Sequence, residues 1–112
     1  MKKNDKNNIK SLTDLLYLMF KEGANNSNNL YLMGLAASNN EFERGSVASS
    51  FETPQPLLDY LAGDPKPSVR GNVANNPYAS EETLKRLSED KDPTVRYLAR
   101  ENLARREKLR KD

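Results

Sequence analysis

Apolar residues along this chain fall into short helical patterns separated by Asn, Pro and Gly. Leu12, Leu15, Leu16 and Met19 recur at spacings of three and four, one face of a helix, and Ser11 stands three residues before Asp14 as in a capping box. With Leu18 and Phe20 adding bulk and Gly23 suited to a left-handed stop, residues 11–23 are predicted to form a helix. Ala24 to Asn29, mostly Asn and Ser, reads as a loop. Leu30 to Ala37 is apolar on nearly every side and predicts a second helix, broken by Asn39 and Asn40. Phe42 to Ser49 predicts a third. Thr53 stands where it can cap a fourth, with Pro54 and Pro56 in its first turn and Leu57, Leu58, Tyr60 and Leu61 on its inner side. Gly63-Asp64-Pro65 ends it, Pro67 opens the next with Val69 and Val73 inward, and Asn75-Asn76-Pro77 closes that one. Ser80 caps a further helix, where Glu81 and Glu82 oppose its positive end and Leu84 and Leu87 pack. Asp92-Pro93 then starts a helix with no Gly or Pro from Val95 to Leu109, which should run long and leave its last turns exposed.

These patterns recur. Leu57 to Asn76 returns as Thr83 to Asn102 at a constant offset of 26, pairing Leu58 with Leu84, Leu61 with Leu87, Asp64 with Asp90, Val69 with Val95, Arg70 with Arg96 and Asn76 with Asn102. A fainter copy one step earlier holds Leu32, Leu35, Arg44, Gly45, Val47 and Ala48. A fixed period of this size marks a solenoid, in which each unit buries its apolar face by stacking on the next. The expectation is an all-α protein of about three 26-residue helix-pair repeats between capping helices. Residues 1–10, Lys and Asn with one Ile, are expected to form a flexible arm. Residues 11–112 then form one domain: a capping helix over 11–23, repeats over 30–52 and 53–78, and a third over 79–112 that includes the extended last helix.

Two segments carry a resemblance. Leu58, Leu61, Ala62, Asp64, Pro65, Val69, Arg70, Val73, Ala74, Asn76 and Pro77, then Leu84, Leu87, Asp90, Val95 and Arg96, resemble the leucine-rich repeat variant family, a relative of HEAT and armadillo repeats. The likeness covers about residues 31–102. It implies a short right-handed α-solenoid of short helices, one of them often 3₁₀, with a concave and a convex face and use as a binding platform. The chain departs from the family in a slightly longer period and in lacking the cysteine cluster that lets one member hold an iron–sulfur centre, so no cofactor is implied.

Composition narrows the chemistry. The absence of cysteine and histidine removes disulfides, thiolate metal sites and the commonest general base. The glycines are isolated, so no phosphate-cradling loop is present, and Asp90-Lys91-Asp92 lacks the remaining ligands of a calcium loop. No catalytic residues, cofactor or metal are therefore expected. The lysine-bearing N-terminus leads into an apolar run interrupted by Thr13 and Asp14, which reads as a mature helix and not a signal peptide. No run approaches the roughly 18 apolar residues of a membrane span, so a cytoplasmic protein without membrane contact is expected. The net charge of +2 is unevenly spread: the middle is acidic and both ends are basic.

Six residues separate Asp64 from Arg70 and Asp90 from Arg96, with Ser38 and Arg44 in the same slots earlier. An acid at the turn and an arginine one helical turn into the next helix can meet across the bend, or the guanidinium can bond free carbonyls or a neighbouring unit's acid. In the related HEAT repeats this spacing serves an internal ladder, so Asp64, Arg70, Asp90 and Arg96 are expected to form one. The competing expectation is a row of Arg44, Arg70 and Arg96 that contacts phosphates or an acidic partner. Gly45 and Gly71 suggest close approach of stacked helices; the same slot later holds Tyr97, a candidate exposed contact. Ser46, Ser49, Asn72 and Asn75 form either plain surface or a binding floor. Arg100, with Arg105, Arg106, Lys108, Arg110 and Lys111, forms a basic tail that either offsets the helix dipole or docks on nucleic acid or an acidic protein. The candidate binding surface is thus Arg44, Arg70, Arg96, Tyr97, Arg100, Asn72 and Asn75. The expected role is a non-catalytic protein–protein interaction module, with a protein as partner. Two alternatives are a nucleic-acid-associated protein using the arginine row and tail, and a small mobile-element inhibitor or antitoxin-like protein that occludes one target.

Overall fold

A computed structural model describes residues 11–21, Gly23 and residues 26–111. The arm expected over residues 1–10 lies outside them. The described residues form seven α-helices and no strand: α1 (Leu12–Lys21), α2 (Ser27–Ala36), α3 (Glu41–Ser49), α4 (Gln55–Leu61), α5 (Pro67–Ala74), α6 (Glu81–Leu87) and α7 (Pro93–Lys111). The chain is all-α.

Most boundaries follow from caps. Ser11 Oγ accepts from the Asp14 amide at 3.2 Å, and Gly23, at φ +76°, closes α1 in the left-handed conformation that suits glycine. Asn40 caps α3 through the Phe42 amide, Ser80 caps α6 through Thr83, and Asp92 Oδ1 accepts from both Thr94 and Val95 at the start of α7. Two starts differ from expectation. Helix α2 begins at Ser27, inside the predicted loop, because Asn26 Oδ1 accepts from the Asn29 amide at 2.9 Å; the asparagine run contains an N-cap. Thr53 does not cap α4, whose N-cap is Pro54 with no side-chain bond. The buried Thr53 hydroxyl instead turns back and donates at 2.7 Å to Val47 O, a carbonyl at the end of α3 that also accepts from the Ser50 amide.

Helices α3, α5 and α7 lie side by side, α3 against α5 and α5 against α7, while α2 packs on α3 and α6 on α7. Helix α5 therefore has neighbours on two flanks, which explains its small and inward residues: Val69, Arg70, Gly71, Val73 and Ala74 are all buried. Helix α4 buries Pro56, Leu57, Leu58 and Leu61 and packs against α1, whose Leu15 and Met19 join the same core. The helix expected to cover the first unit thus leans on the second. Positions 26 apart share their burial: Leu58 and Leu84, Leu61 and Leu87, and Val69 and Val95 are each at most 1% exposed. The radius of gyration of 13.6 Å is close to the ~13 Å of a globular chain of this length. No described helix is long and apolar enough to cross a membrane.

Candidate functional site

Two hydrogen-bond ladders join α3, α5 and α7, and each repeats its atoms at the 26-residue step. In the first, Arg44 holds Asp64 through Nε at 2.7 Å and Nη2 at 3.2 Å, while its Nη1 donates to Ser38 O at 2.9 Å. Arg70 holds Asp90 through Nε at 2.8 Å and Nη2 at 3.0 Å, and its Nη1 donates to Asp64 O at 2.8 Å. Each carboxylate also accepts from the amide two residues on, Lys66 for Asp64 and Asp92 for Asp90. Asp64 and Arg70 therefore do not pair side chain to side chain across the bend, and neither do Asp90 and Arg96. The arginine takes its own unit's carbonyl and the carboxylate twenty residues further along the chain. The carbonyl at the turn points toward the incoming Nη1, while the acid side chain is directed across to the neighbouring helix.

Electrostatics follow that geometry. The bidentate bonds to Asp64 and Asp90 raise the already high pKa of Arg44 and Arg70, against the opposing effect of burial. Burial pushes the Asp90 carboxyl up, but the Arg70 fork, the Asp92 amide and the charges of Arg70 and Lys91 outweigh it and hold the group below its ordinary 3.8.

The second ladder uses asparagine. Asn76 Nδ2 donates to Ala48 O at 2.9 Å and Ser50 O at 3.0 Å, and Asn102 Nδ2 donates to Ala74 O at 2.9 Å and Asn76 O at 3.0 Å. Ala48 O and Ala74 O belong to the last turns of α3 and α5, which have no partner further along the helix, and Ser50 O and Asn76 O lie just past those ends, so each asparagine closes the end of the helix beneath it. Sequence reasoning aligned Asn76 with Asn102 but did not assign them this role. The available signal was a repeated amide in otherwise apolar register.

The candidate binding residues separate into closed and open sets. Arg44 and Arg70 are closed, with Arg70 only 6% exposed, so they form no open row. Asn72 is half-buried and donates to Gly45 O at 3.1 Å, which makes it a stacking residue and not part of an open floor. Asn75 is exposed at the end of α5. Tyr97, in the slot where Gly71 meets α7, is 62% exposed. Arg96 Nη1 is anchored on Asp90 O at 2.7 Å and Lys91 O at 3.1 Å, yet among the described residues no carboxylate meets its Nε and Nη2. The basic tail is partly folded back. Arg100 donates to Ser88 O, Arg106 to Pro77 O, and Arg110 bridges Glu81 at 3.1 Å, whereas Arg105, Lys108 and Lys111 make no side-chain bond among the described residues.

Two shallow grooves flank these features. One of about 380 Å³ lies beside the ladder, between Gly63, Arg70, Arg86 and Lys91, and one of about 520 Å³ lies between α6 and α7, lined by Lys85, Ser88, Arg100 and Glu107. Exposed aromatics stand elsewhere: Phe42, and an edge-to-face pair of Phe51 and Tyr78 with ring centres 5.4 Å apart. Among the described residues no cluster of three or more Asp or Glu is arranged to hold a metal ion. No protein-family model matches the chain, and neither curated proteins nor solved structures give a match.

Proposed function

We propose that the chain is a short right-handed α-solenoid of three 26-residue helix pairs, similar to the leucine-rich repeat variant and HEAT families, and that it works as a non-catalytic protein-binding module. The observation that carries this reading is the pair of ladders: the same donors meet the same acceptors at every closed step, which makes a rigid frame. On that frame Phe42, Phe51, Tyr78 and Tyr97 stand exposed. Rigidly presented aromatics are the side chains that anchor protein interfaces, because they bury large area at small entropic cost.

Affinity capture of the full chain from its native cell, read by mass spectrometry, tests the proposal. A protein recovered stoichiometrically, and lost when Phe51 and Tyr78 are both changed to Ala, is the expected result. Recovery of nucleic acid in place of protein would overturn it. Among the described residues the nucleic-acid alternative loses Arg44 and Arg70, which are engaged inside, and keeps the open side of Arg96 with Arg105, Lys108 and Lys111. It predicts a steep loss of duplex binding between low and physiological salt.

A further inference from the structure

Arg96 occupies the position at which Arg44 and Arg70 each grip a carboxylate, and its guanidinium is already oriented in the same way. Its Nη1 sits on Asp90 O at 2.7 Å, as Arg70 Nη1 sits on Asp64 O at 2.8 Å. The remaining half of the fork, Nε and Nη2, is the half that holds acid at 2.7–3.2 Å in the two lower rungs. Beside it Tyr97, in the slot that Gly71 fills on α5, presents an exposed ring. We propose that this open rung on α7 receives an aspartate or glutamate side chain from a separate acidic protein, its carboxylate bound in a fork by Arg96 and flanked by Tyr97. The proposal deepens the protein-binding reading and rests on it.

The shape of α7 argues for an occupant other than another helix pair of the same kind. Helices α3 and α5 stop at Ser49 and Ala74, which leaves Ala48 O and Ala74 O for Asn76 and Asn102 to take. Helix α7 continues unbroken to Lys111, so the corresponding carbonyls of Arg100 and Asn102 are bonded within their own helix. The asparagine ladder is closed at α7, and only the arginine ladder is open. A second copy stacked by its first unit would bring Ser38, a hydroxyl already donated to Glu43, where the rung needs an acid. A carboxylate suits the site because the planar fork matches it in two parallel bonds, and because the anchored guanidinium loses little freedom on binding.

The test uses side-chain ¹⁵N NMR of the full chain, with a twelve-residue peptide of the chain's own Leu84-to-Val95 sequence as probe, since its Asp90 turn closes the rung below. A control peptide carries Glu89→Gln, Asp90→Asn and Asp92→Asn. The expected result is a saturable shift at Arg96 Nε and at Tyr97, with affinity about tenfold or more weaker for the control peptide. Arg96→Lys, which keeps the charge and loses the fork, should weaken binding of the unaltered peptide comparably while leaving the Arg70 Nε resonance and the thermal melt unchanged. Equal response to both peptides, no response at Arg96, or a preference of Arg96 for a short DNA duplex would overturn the proposal. Capture of the same cellular protein by wild type and by Arg96→Lys/Tyr97→Ala would sink the open rung alone and leave the module reading standing. Failure of both peptide binding and protein capture would remove both.

Discussion

Arg70 and Arg96 begin as the same residue in the same local sequence, Val-Arg after a proline-started turn, and end in different states. On α5 the guanidinium is enclosed, with all three nitrogens bonded and Asp90 almost as buried as its partner. On α7 the same group is anchored at one nitrogen and otherwise open, and the neighbouring glycine has become an exposed tyrosine. The difference lies in the neighbours: α5 has a helix on each flank, while the corresponding flank of α7 has none among the described residues. A side chain that is structural in one unit is thereby available for binding in the next.

The strongest way to break this comparison is to remove each arginine. Arg70→Ala leaves Asp90 buried without its cation and should cost about 3–5 kcal/mol. Arg96→Ala removes a half-buried group's bonds to Asp90 O and Lys91 O but strands no buried carboxylate, and should cost about 1 kcal/mol. Urea denaturation measures both, and equal losses would show that the two rungs do not differ as described. The asparagine ladder should behave oppositely, because both of its rungs are closed. Asn76→Ala and Asn102→Ala should each cost about 1–3 kcal/mol, while exposed Asn75→Ala should stay within about 0.5 kcal/mol.

Acid sharpens the contrast further. The Asp90 carboxyl is held below its usual 3.8 in the folded chain, so its contribution is fully present above that pH and is lost as pH falls through the lower folded value. Melting followed from pH 6 down to about pH 2 should show a steeper decline for wild type than for Asp90→Asn. A small effect is expected at the glycines. A methyl on Gly71 would meet Leu98 at 3.6 Å and Val95 at 3.9 Å, ordinary contact, so Gly71→Ala should gain up to about 1 kcal/mol. A methyl on Gly45 would lie 3.0 Å from Asn72 Nδ2 and crowd that residue's bond to Gly45 O, so Gly45→Ala should gain less or lose stability. The close approach expected at both glycines holds at Gly45 alone.

Much of the helical pattern was legible along the chain because its signals are local. Apolar spacing at Leu57, Leu58 and Leu61, the prolines that open α5 and α7, and the Ser80 cap each act within a turn or two. The start of α2 was obscured by consecutive asparagines, any of which can cap. Thr53 looked like a cap by position, yet its hydroxyl served α3 behind it. The role of Asn76 and Asn102 was not legible because nothing in the neighbouring residues says that a carbonyl from the previous helix end lies within reach.

Read alone, the amino-acid order determined that the chain is helical, that its pattern returns every 26 residues, and which acids, arginines and asparagines return with it. Which of those residues meet was decided only when the helices stacked. A six-residue spacing suggested Asp64 with Arg70, but the separation between packed helices carried each guanidinium to an acid twenty residues away. The same stacking left one side of Arg96 open and Tyr97 exposed, because exposure depends on whether a neighbour is present and not on the residue itself.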